Sequence, residues 1–179
     1  MEKYPEVSVE IEVSNLATNI DKRDADIAIR MFQPTQMDLI CRHLFDLPLG
    51  FFASKKYLDD HGTPKNTDEL LKHKIIGYDR SLLFEEGGKN IGLNVKNENF
   101  NLRTDFAPLH IALASNDGGI IVTYKELSEV AGLVEIDLDI VIPPQPVYLV
   151  CHRDVQHNKR IRALMDHLAE NLSMNKSGH

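Results

Sequence analysis

Residues 7–13 alternate strictly, with Val7, Val9, Ile11 and Val13 on one side and Ser8, Glu10 and Glu12 on the other. A period of two is that of a strand with one wet face. Tyr4-Pro5 just before it reads as the end of a connection, because proline has no N–H to give a central ladder. Leu16 to Ile20 predicts a short amphipathic helix ahead of the polar turn Asp21-Lys22-Arg23-Asp24. Ala25-Asp26-Ile27-Ala28-Ile29-Arg30 predicts a second strand, small and apolar enough for a sheet interior. After a loop at Gln33-Pro34-Thr35-Gln36, Leu39 to Leu44 and Leu47 to Ala53 predict two more strand segments.

Helix signals then join the strand signals. Ser54 is placed to cap a helix over 55–61, with Gly62 ending it, and Thr67 to cap a short helix carrying Leu70 and Leu71. Ile75-Ile76-Gly77-Tyr78 predicts a buried strand, and residues 85–99, with Gly87-Gly88 and many Asn and Lys, a solvent-exposed excursion. Asn101 to Arg103 is extended, and Thr104 or Asp105 caps a helix through Pro108, Ile111, Leu113 and Ala114, with Pro108 tolerated in the first turn. Gly118-Gly119 separates that helix from the strand Ile120-Ile121-Val122-Thr123, and a helix over 125–131 and a strand from Leu133 to Ile136 follow. Pro143-Pro144-Gln145-Pro146 is a stiff connector, and Val147 to Cys151 the last buried strand. The closing helix, 157–172, sets Ile161, Leu164, Met165, Leu168 and Leu172 on one face. This alternation argues for an α/β fold with largely parallel sheets.

Composition narrows the class. The 179 residues, 42% hydrophobic and 26% charged, suit one ordinary domain or two small lobes built from a discontinuous chain. No apolar run reaches bilayer length and the opening residues lack a signal-peptide core, so a cytoplasmic protein without membrane contact is expected. A net charge of −7 opposes direct binding to phosphate backbones. Cys41 and Cys151 are too few for a disulfide framework, and both fall in apolar strands, where core thiols are expected rather than metal ligands. Cys41-Arg42-His43 and Cys151-His152 lack the spacing of a structural zinc site, and no His-Glu-x-x-His occurs among the eight histidines. The double glycines lack the Lys-Ser/Thr of a phosphate loop, and there is no Gly-x-Ser-x-Gly elbow. The sequence therefore predicts no catalytic set, no metal and no cofactor.

An ordered series of motifs carries a resemblance. It runs through Ala25-Asp26-Ile27-Ala28-Ile29-Arg30, then Leu47-Pro48-Leu49-Gly50-Phe51-Phe52-Ala53-Ser54 with Tyr57-Leu58, His61-Gly62 and Pro64. Asp68-Glu69-Leu70, His73, Ile76-Gly77, then Ala112, Ala114 and Gly118-Gly119 continue it. Val147-Tyr148-Leu149-Val150-Cys151-His152-Arg153, Arg160-Ile161-Arg162 and Leu168-Ala169 complete it. Together these resemble, over nearly the whole chain, the effector-binding (substrate-binding) domain of bacterial LysR-type transcriptional regulators. The resemblance implies a two-lobed α/β fold like type 2 periplasmic binding proteins, with two crossover strands and the effector in the cleft. Lobe one would be 1–48 with 144–175, lobe two 49–143, and 176–179 a disordered tail. The family's winged helix-turn-helix, linker helix and first strand and helix of lobe one would precede Tyr4. Lobe one is thus expected to be truncated at its N-terminus. Asp117 stands where the family usually has glycine and Tyr124 where it usually has proline; the second change bears on the local loop.

Open α/β sheets bind ligands beyond the carboxyl ends of their strands. That rule selects loops starting at Arg30-Met31-Phe32, Tyr78-Asp79-Arg80-Ser81, Thr104-Asp105-Phe106 and Thr123-Tyr124, and the family's pocket uses the corresponding loops. The Arg30 guanidinium can clamp a carboxylate, or form a salt bridge with Asp105 or Asp79. Arg80 is a second cation, Thr104 and Asp105 are helix caps or ligand contacts, and Thr123 bonds ligand or backbone. Phe32, Tyr78 and Phe106 form apolar walls or plain packing. The arginines and aromatics favour an anionic or aromatic effector.

By the resemblance, the chain senses a small molecule, and DNA is touched only by the N-terminal domain it lacks. Homodimers or tetramers belong to the full-length regulator and are weakened in this chain. Two alternatives are a solute-binding protein of the same fold, which predicts a signal peptide, and an enzyme using the cleft. For the enzyme these loops offer only Asp79 and Asp105 with two arginines.

Overall fold

A computed structural model describes residues 7–13, 25–155 and 157–174. Its strands are β1 (Ile27–Arg30), β2 (Leu39–Leu47), β3 (Leu49–Ala53), β4 (Ile75–Gly77), β5 (Phe100–Arg103), β6 (Ile121–Tyr124), β7 (Val134–Ile136) and β8 (Gln145–His152). Its helices are α1 (Lys55–His61), α2 (Thr67–Leu70), α3 (Leu83–Asn90), α4 (Ala107–Ser115), α5 (Lys125–Val130) and α6 (Lys159–Met174). The chain divides into two compact units, Met1–Asp46 with Gln145–His179, and Leu47–Pro144. It passes from one to the other twice, after Asp46 and after Pro144.

In the first unit the sheet order is β1-β8-β2. β1 runs antiparallel to β8, with Ile27 opposite Cys151 and Arg30 opposite Tyr148. At one end of the β2–β8 pair the Arg153 N–H donates to the Asp38 carbonyl (2.9 Å), and toward the other the His43 ring meets the edge of Tyr148 (5.3 Å). These two strands therefore also run in opposite directions. Leu149, Val150 and Cys151 are fully buried, which makes β8 apolar on both faces. β8 begins at Gln145, so Pro146, expected in the connector, lies inside the strand, ahead of the stretch paired with β1. α6 buries Ile161 of the predicted stripe and leaves Leu164, Met165, Leu168 and Leu172 half-buried, with Ala169 buried beside them.

The alternating residues 7–13 form no strand. Ile11 and Val13 are 84% and 89% exposed. Alternation suits a sequence to a sheet, but a ladder needs a partner, and among the described residues no strand pairs with this one. The helix expected from Leu16 to Ile20 lies outside the described residues.

In the second unit β3 runs antiparallel to both β6 and β7, while β4 and β5 are parallel. A parallel bridge between Ile75 and Ile120 joins the two sets, with the Ile76 N–H donating to the Ile120 carbonyl (2.9 Å) and the Ile120 N–H to that of Lys74 (2.8 Å). The expectation of largely parallel sheets is thus corrected. Strand–helix–strand alternation gives parallel neighbours in β4, β5 and β6, but β3 and β8, entered where the chain changes unit, run against theirs. The core gathers Phe51, Tyr57, Leu70, Ile75, Leu93, Val95, Phe100 and Ile120. A smaller cluster holds Phe52, Ile76, Ala114 and Ile121.

Local signals explain the helix ends. Ser54 Oγ accepts from the Tyr57 N–H (2.9 Å), and Gly62, at φ 85°, closes α1 by donating to the Leu58 carbonyl (2.8 Å). The cap of α2 is Asn66 rather than Thr67, because Asn66 is still extended and its Oδ1 accepts from the Glu69 N–H (2.9 Å). The exposed excursion expected over 85–99 is instead α3 followed by Leu93 and Val95, each 1% exposed. Its glycines misled because they resemble a turn. A Cβ on Gly88 would lie 2.6 Å from the Leu93 carbonyl oxygen, so glycine there permits a close approach within a packed helix.

Candidate functional site

Because β4, β5 and β6 share one direction, their carboxyl ends open on one side of the second unit. β3 starts there too, with Leu49 opposite Tyr124 and Gly50 opposite Thr123. Gly77 ends β4, and its carbonyl accepts from the Thr104 N–H (3.0 Å), which ties the loop after β5 to the loop after β4. Asp105 strengthens that tie. Its carboxylate accepts from the backbone N–H groups of Asp79 (3.1 Å), Arg80 (3.1 Å) and Ser81 (3.2 Å). These donors, with the Arg80 charge, hold the Asp105 carboxyl below the usual carboxylate range.

Neither Thr104 nor Asp105 is the cap of α4. The capping residue is Phe106, which supplies no side-chain bond, and Thr104 Oγ1 accepts from the Phe106 N–H (3.2 Å). Asp105 cannot serve the helix because its oxygens are turned to the neighbouring loop.

His110 on α4 is 5% exposed, and its Nε2 lies 2.7 Å from the Thr104 carbonyl. A carbonyl only accepts, so this bond requires the proton on Nε2. The same ring lies 4.9 Å from that of Tyr78, so one buried imidazole steadies two predicted site residues. Burial pushes the Tyr78 phenol above its ordinary range, and the Asp105 charge adds to it. Burial likewise raises Tyr124, with Tyr78 adding to it.

Thr123 is buried, Phe106 is 61% exposed, and Asp79 and Arg80 are exposed, Asp79 making a long ion pair with Arg103 (3.9 Å). Seven predicted residues, Tyr78, Asp79, Arg80, Thr104, Asp105, Phe106 and Thr123, thus lie at one end of this unit's strands. A separate open hollow, lined by Gly50, Phe51, Glu135, Ile136, Asp137, Leu138 and Ile142, includes none of them.

Arg30 and Phe32 belong to the first unit. Arg30 ends β1, is 9% exposed, and its guanidinium carbon lies 5.5 Å from the centre of the Phe32 ring, a cation–π contact. The Met31 carbonyl between them accepts from Gln145 Nε2, which anchors the loop to the first residue of β8. Cys151 is a core thiol as expected, but Cys41 is exposed, as are Arg42 and His43 after it, so this part of β2 is open on both faces. Burial raises both thiols, so neither has the lowered pKa of a reactive cysteine.

Sequence reasoning missed His110, whose only signal was a polar residue in an otherwise apolar helix. Tyr124 was noticed only for its effect on loop shape. Among the described residues no group of three His, Cys, Asp or Glu could hold a metal ion, and no helix is long and apolar enough to cross a membrane.

A mixed α/β chain crossing twice between two units, with polar loops gathered at strand ends, has the architecture of a periplasmic-binding-protein-like ligand-binding domain. The chain belongs to the LysR substrate binding domain family, whose description matches residues 1–173. It therefore has the fold of the effector-binding domain of LysR-type transcriptional regulators. Among curated relatives, the HTH-type transcriptional regulator CrgA of Neisseria meningitidis serogroup B is 38% identical over 77 residues, covering 43% of this chain and 26% of CrgA. An HTH-type transcriptional regulator of Xanthomonas campestris pv. campestris is 30% identical over 74 residues, 41% of this chain and 22% of that protein. The matched stretches thus span about a quarter of those relatives' length.

The solved regulatory domain of CrgA from Neisseria meningitidis superposes with a TM-score of 0.80 at 25% identity, over 96% of this chain and 87% of that one. The Synechocystis PCC6803 CcmR regulatory domain, solved in complex with 2-PG, shares the fold with a TM-score of 0.78 at 16% identity, over 96% of this chain and 86% of that one.

Proposed function

We propose that this chain is the small-molecule-sensing part of a LysR-type regulator, in which effector binding alters transcription through ligand-dependent lobe rearrangement. The effector contacts Arg30, Phe32, Tyr78, Asp79, Arg80, Thr104, Asp105, Phe106 and Thr123. It is a small organic molecule, anionic or aromatic. DNA is contacted by another segment of the regulator, in the cytoplasm, and the chain is a binder, not an enzyme. The observation that carries this reading is the meeting of three loops at the parallel ends of β4, β5 and β6, with Asp105 holding the backbone of residues 79–81.

The test is thermal melting against a panel of small acids and aromatics that includes 2-PG. A true effector raises the melting temperature, by linkage worth about 2.7 kcal/mol at one hundred times its Kd. The Arg30→Ala variant loses that response. A panel without any hit, or a hit that Arg30→Ala and Thr104→Ala leave unchanged, overturns the assignment. Self-association of the chain alone is weak; sedimentation velocity showing a tight, concentration-independent dimer contradicts this.

A further inference from the structure

Tyr124 occupies a position at the carboxyl end of β6 where the LysR-type pattern usually places proline, and it brings a phenol to the strand ends. The bridge of Ile75 with Ile120 joins β4 to β6 three residues before Tyr78 and four before Tyr124, and the two phenols lie close enough for Tyr78 to act electrostatically on Tyr124. The Tyr78 ring and the Tyr124 backbone are each held in place. Tyr78 packs on His110 at 4.9 Å. The backbone at Tyr124 is fixed by the pairing of Tyr124 with Leu49, and the Lys125 N–H donates to the Pro48 carbonyl (3.1 Å). Both tyrosines are half-buried, yet among the described residues neither hydroxyl has a hydrogen-bond partner, and neither is sealed from water. Half-buried rings with accessible, unengaged hydroxyls form a polar edge on an apolar wall. Phe106 and Leu109, at the start of α4 just after the tied loop, are exposed.

We propose that Tyr78 and Tyr124 act as a pair of hydroxyl donors that selects an effector carrying a carboxylate on a flat apolar body. This rests on the reading of these strand ends as the effector site and names the ligand class it takes. Both phenols are held above their ordinary range, so at neutral pH each keeps its proton and can donate. A carboxylate can only accept, and it gains two charge-assisted O–H···O bonds, roughly twice as strong as those an uncharged oxygen would make. The Asp105 charge that raises Tyr78 also opposes an anion there, and the three backbone N–H groups and the Arg80 charge that act on Asp105 offset part of that opposition.

The experiment uses an isosteric series, phenylacetate, phenylacetamide and 2-phenylethylamine, titrated into the intact chain. Tyrosine ring 1H–13C signals are followed, with assignments from the Tyr→Phe variants. Phenylacetate is expected to move the Tyr78 and Tyr124 signals, the amide to bind at least tenfold more weakly, and the amine not at all. Tyr124→Phe and Tyr78→Phe keep the rings and the packing, and each weakens the acid about tenfold or more. Equal binding of acid and amide, no movement of either ring, or full affinity in Tyr124→Phe overturns the inference. An effector from the melting panel whose binding depends on Arg30 but ignores both Phe variants sinks the paired-donor inference and leaves the sensing assignment standing. Acid binding that needs both hydroxyls while Arg30→Ala and Thr104→Ala have no effect does the reverse.

Discussion

Asp117 sits at φ 62°, a left-handed backbone that few residues other than glycine adopt, at the position where the LysR-type pattern usually has glycine. It does more than tolerate the turn. Ser54 Oγ donates to its carboxylate (2.5 Å) while accepting from the Tyr57 N–H, so Asp117 orients the cap of α1 across the unit. Asp117→Ala loses the hydrogen bond while keeping a Cβ at the left-handed backbone, and should cost about 1–2 kcal/mol in urea unfolding. Asp117→Gly loses the bond but relaxes the backbone, and should cost less than the alanine variant. Asp105 makes a pH prediction. Its folded pKa is lowered, so the stability it contributes is present above the unfolded value and is lost as pH falls through the folded one. Asp105→Ala should lower the melting temperature at neutral pH and show a shallower loss in acid than the parent chain.

At the scale of elements, α3 offers a paired test. A Cβ at Gly87 meets nothing within 4 Å, whereas one at Gly88 meets the Leu93 carbonyl at 2.6 Å. Gly87→Ala should therefore stabilise the chain by up to ~1 kcal/mol, the helix-propensity difference. Gly88→Ala earns the same gain but forces backbone apart at a cost of about 1–3 kcal/mol, and should be net destabilising in denaturant titration. Helix α1, α2 and the start of β4 meet around Tyr57. Its hydroxyl accepts from the Lys74 N–H (2.9 Å) and lies 3.3 Å from His73 Nδ1, and its ring stacks on His61 at 4.4 Å. Burial, then the His61 charge, hold His73 below the ordinary imidazole range, with Glu69 working the other way. The unfolded chain thus binds the extra proton first. Stability should fall as pH drops below about 6.5, the unfolded imidazole value, and His73→Gln should flatten that limb of a melting-temperature profile.

These elements also show what pattern alone conveys. β3, α1, α4, β6 and α6 are legible because a short apolar run, a Ser cap, a first-turn proline and a 3.6-residue stripe are local, whereas the strict alternation of residues 7–13 forms no strand. α3 was hidden because a glycine chosen for close approach looks like one chosen for a turn. The antiparallel pairings of β3 and β8 were hidden because strand direction depends on where the chain crosses, which no local period records. At the site, strand-end reasoning found the loops but assigned Asp105 to its own helix. Its carboxylate partners lie about twenty-five residues back, a long-range choice, and His110 acts behind the loops rather than on them.

Across the whole molecule, the second unit is one uninterrupted stretch, Leu47–Pro144, while the first is assembled from both ends of the sequence. A fragment containing only the second unit should fold and give dispersed amide NMR spectra. A fragment ending at Asp46 should not, since β1 and β2 would both lack β8 between them. Full dispersion from the shorter piece would contradict that division of labour. The same central place of β8 sets a timetable on the ribosome. At about 5–20 residues per second, β2 is made some 5–20 seconds before Gln145–His152 follows it. During that interval the neighbouring strands of the first unit stand apart while the second unit closes, so the window in which a nascent chain is open to chaperones or to wrong partners lies in the first unit.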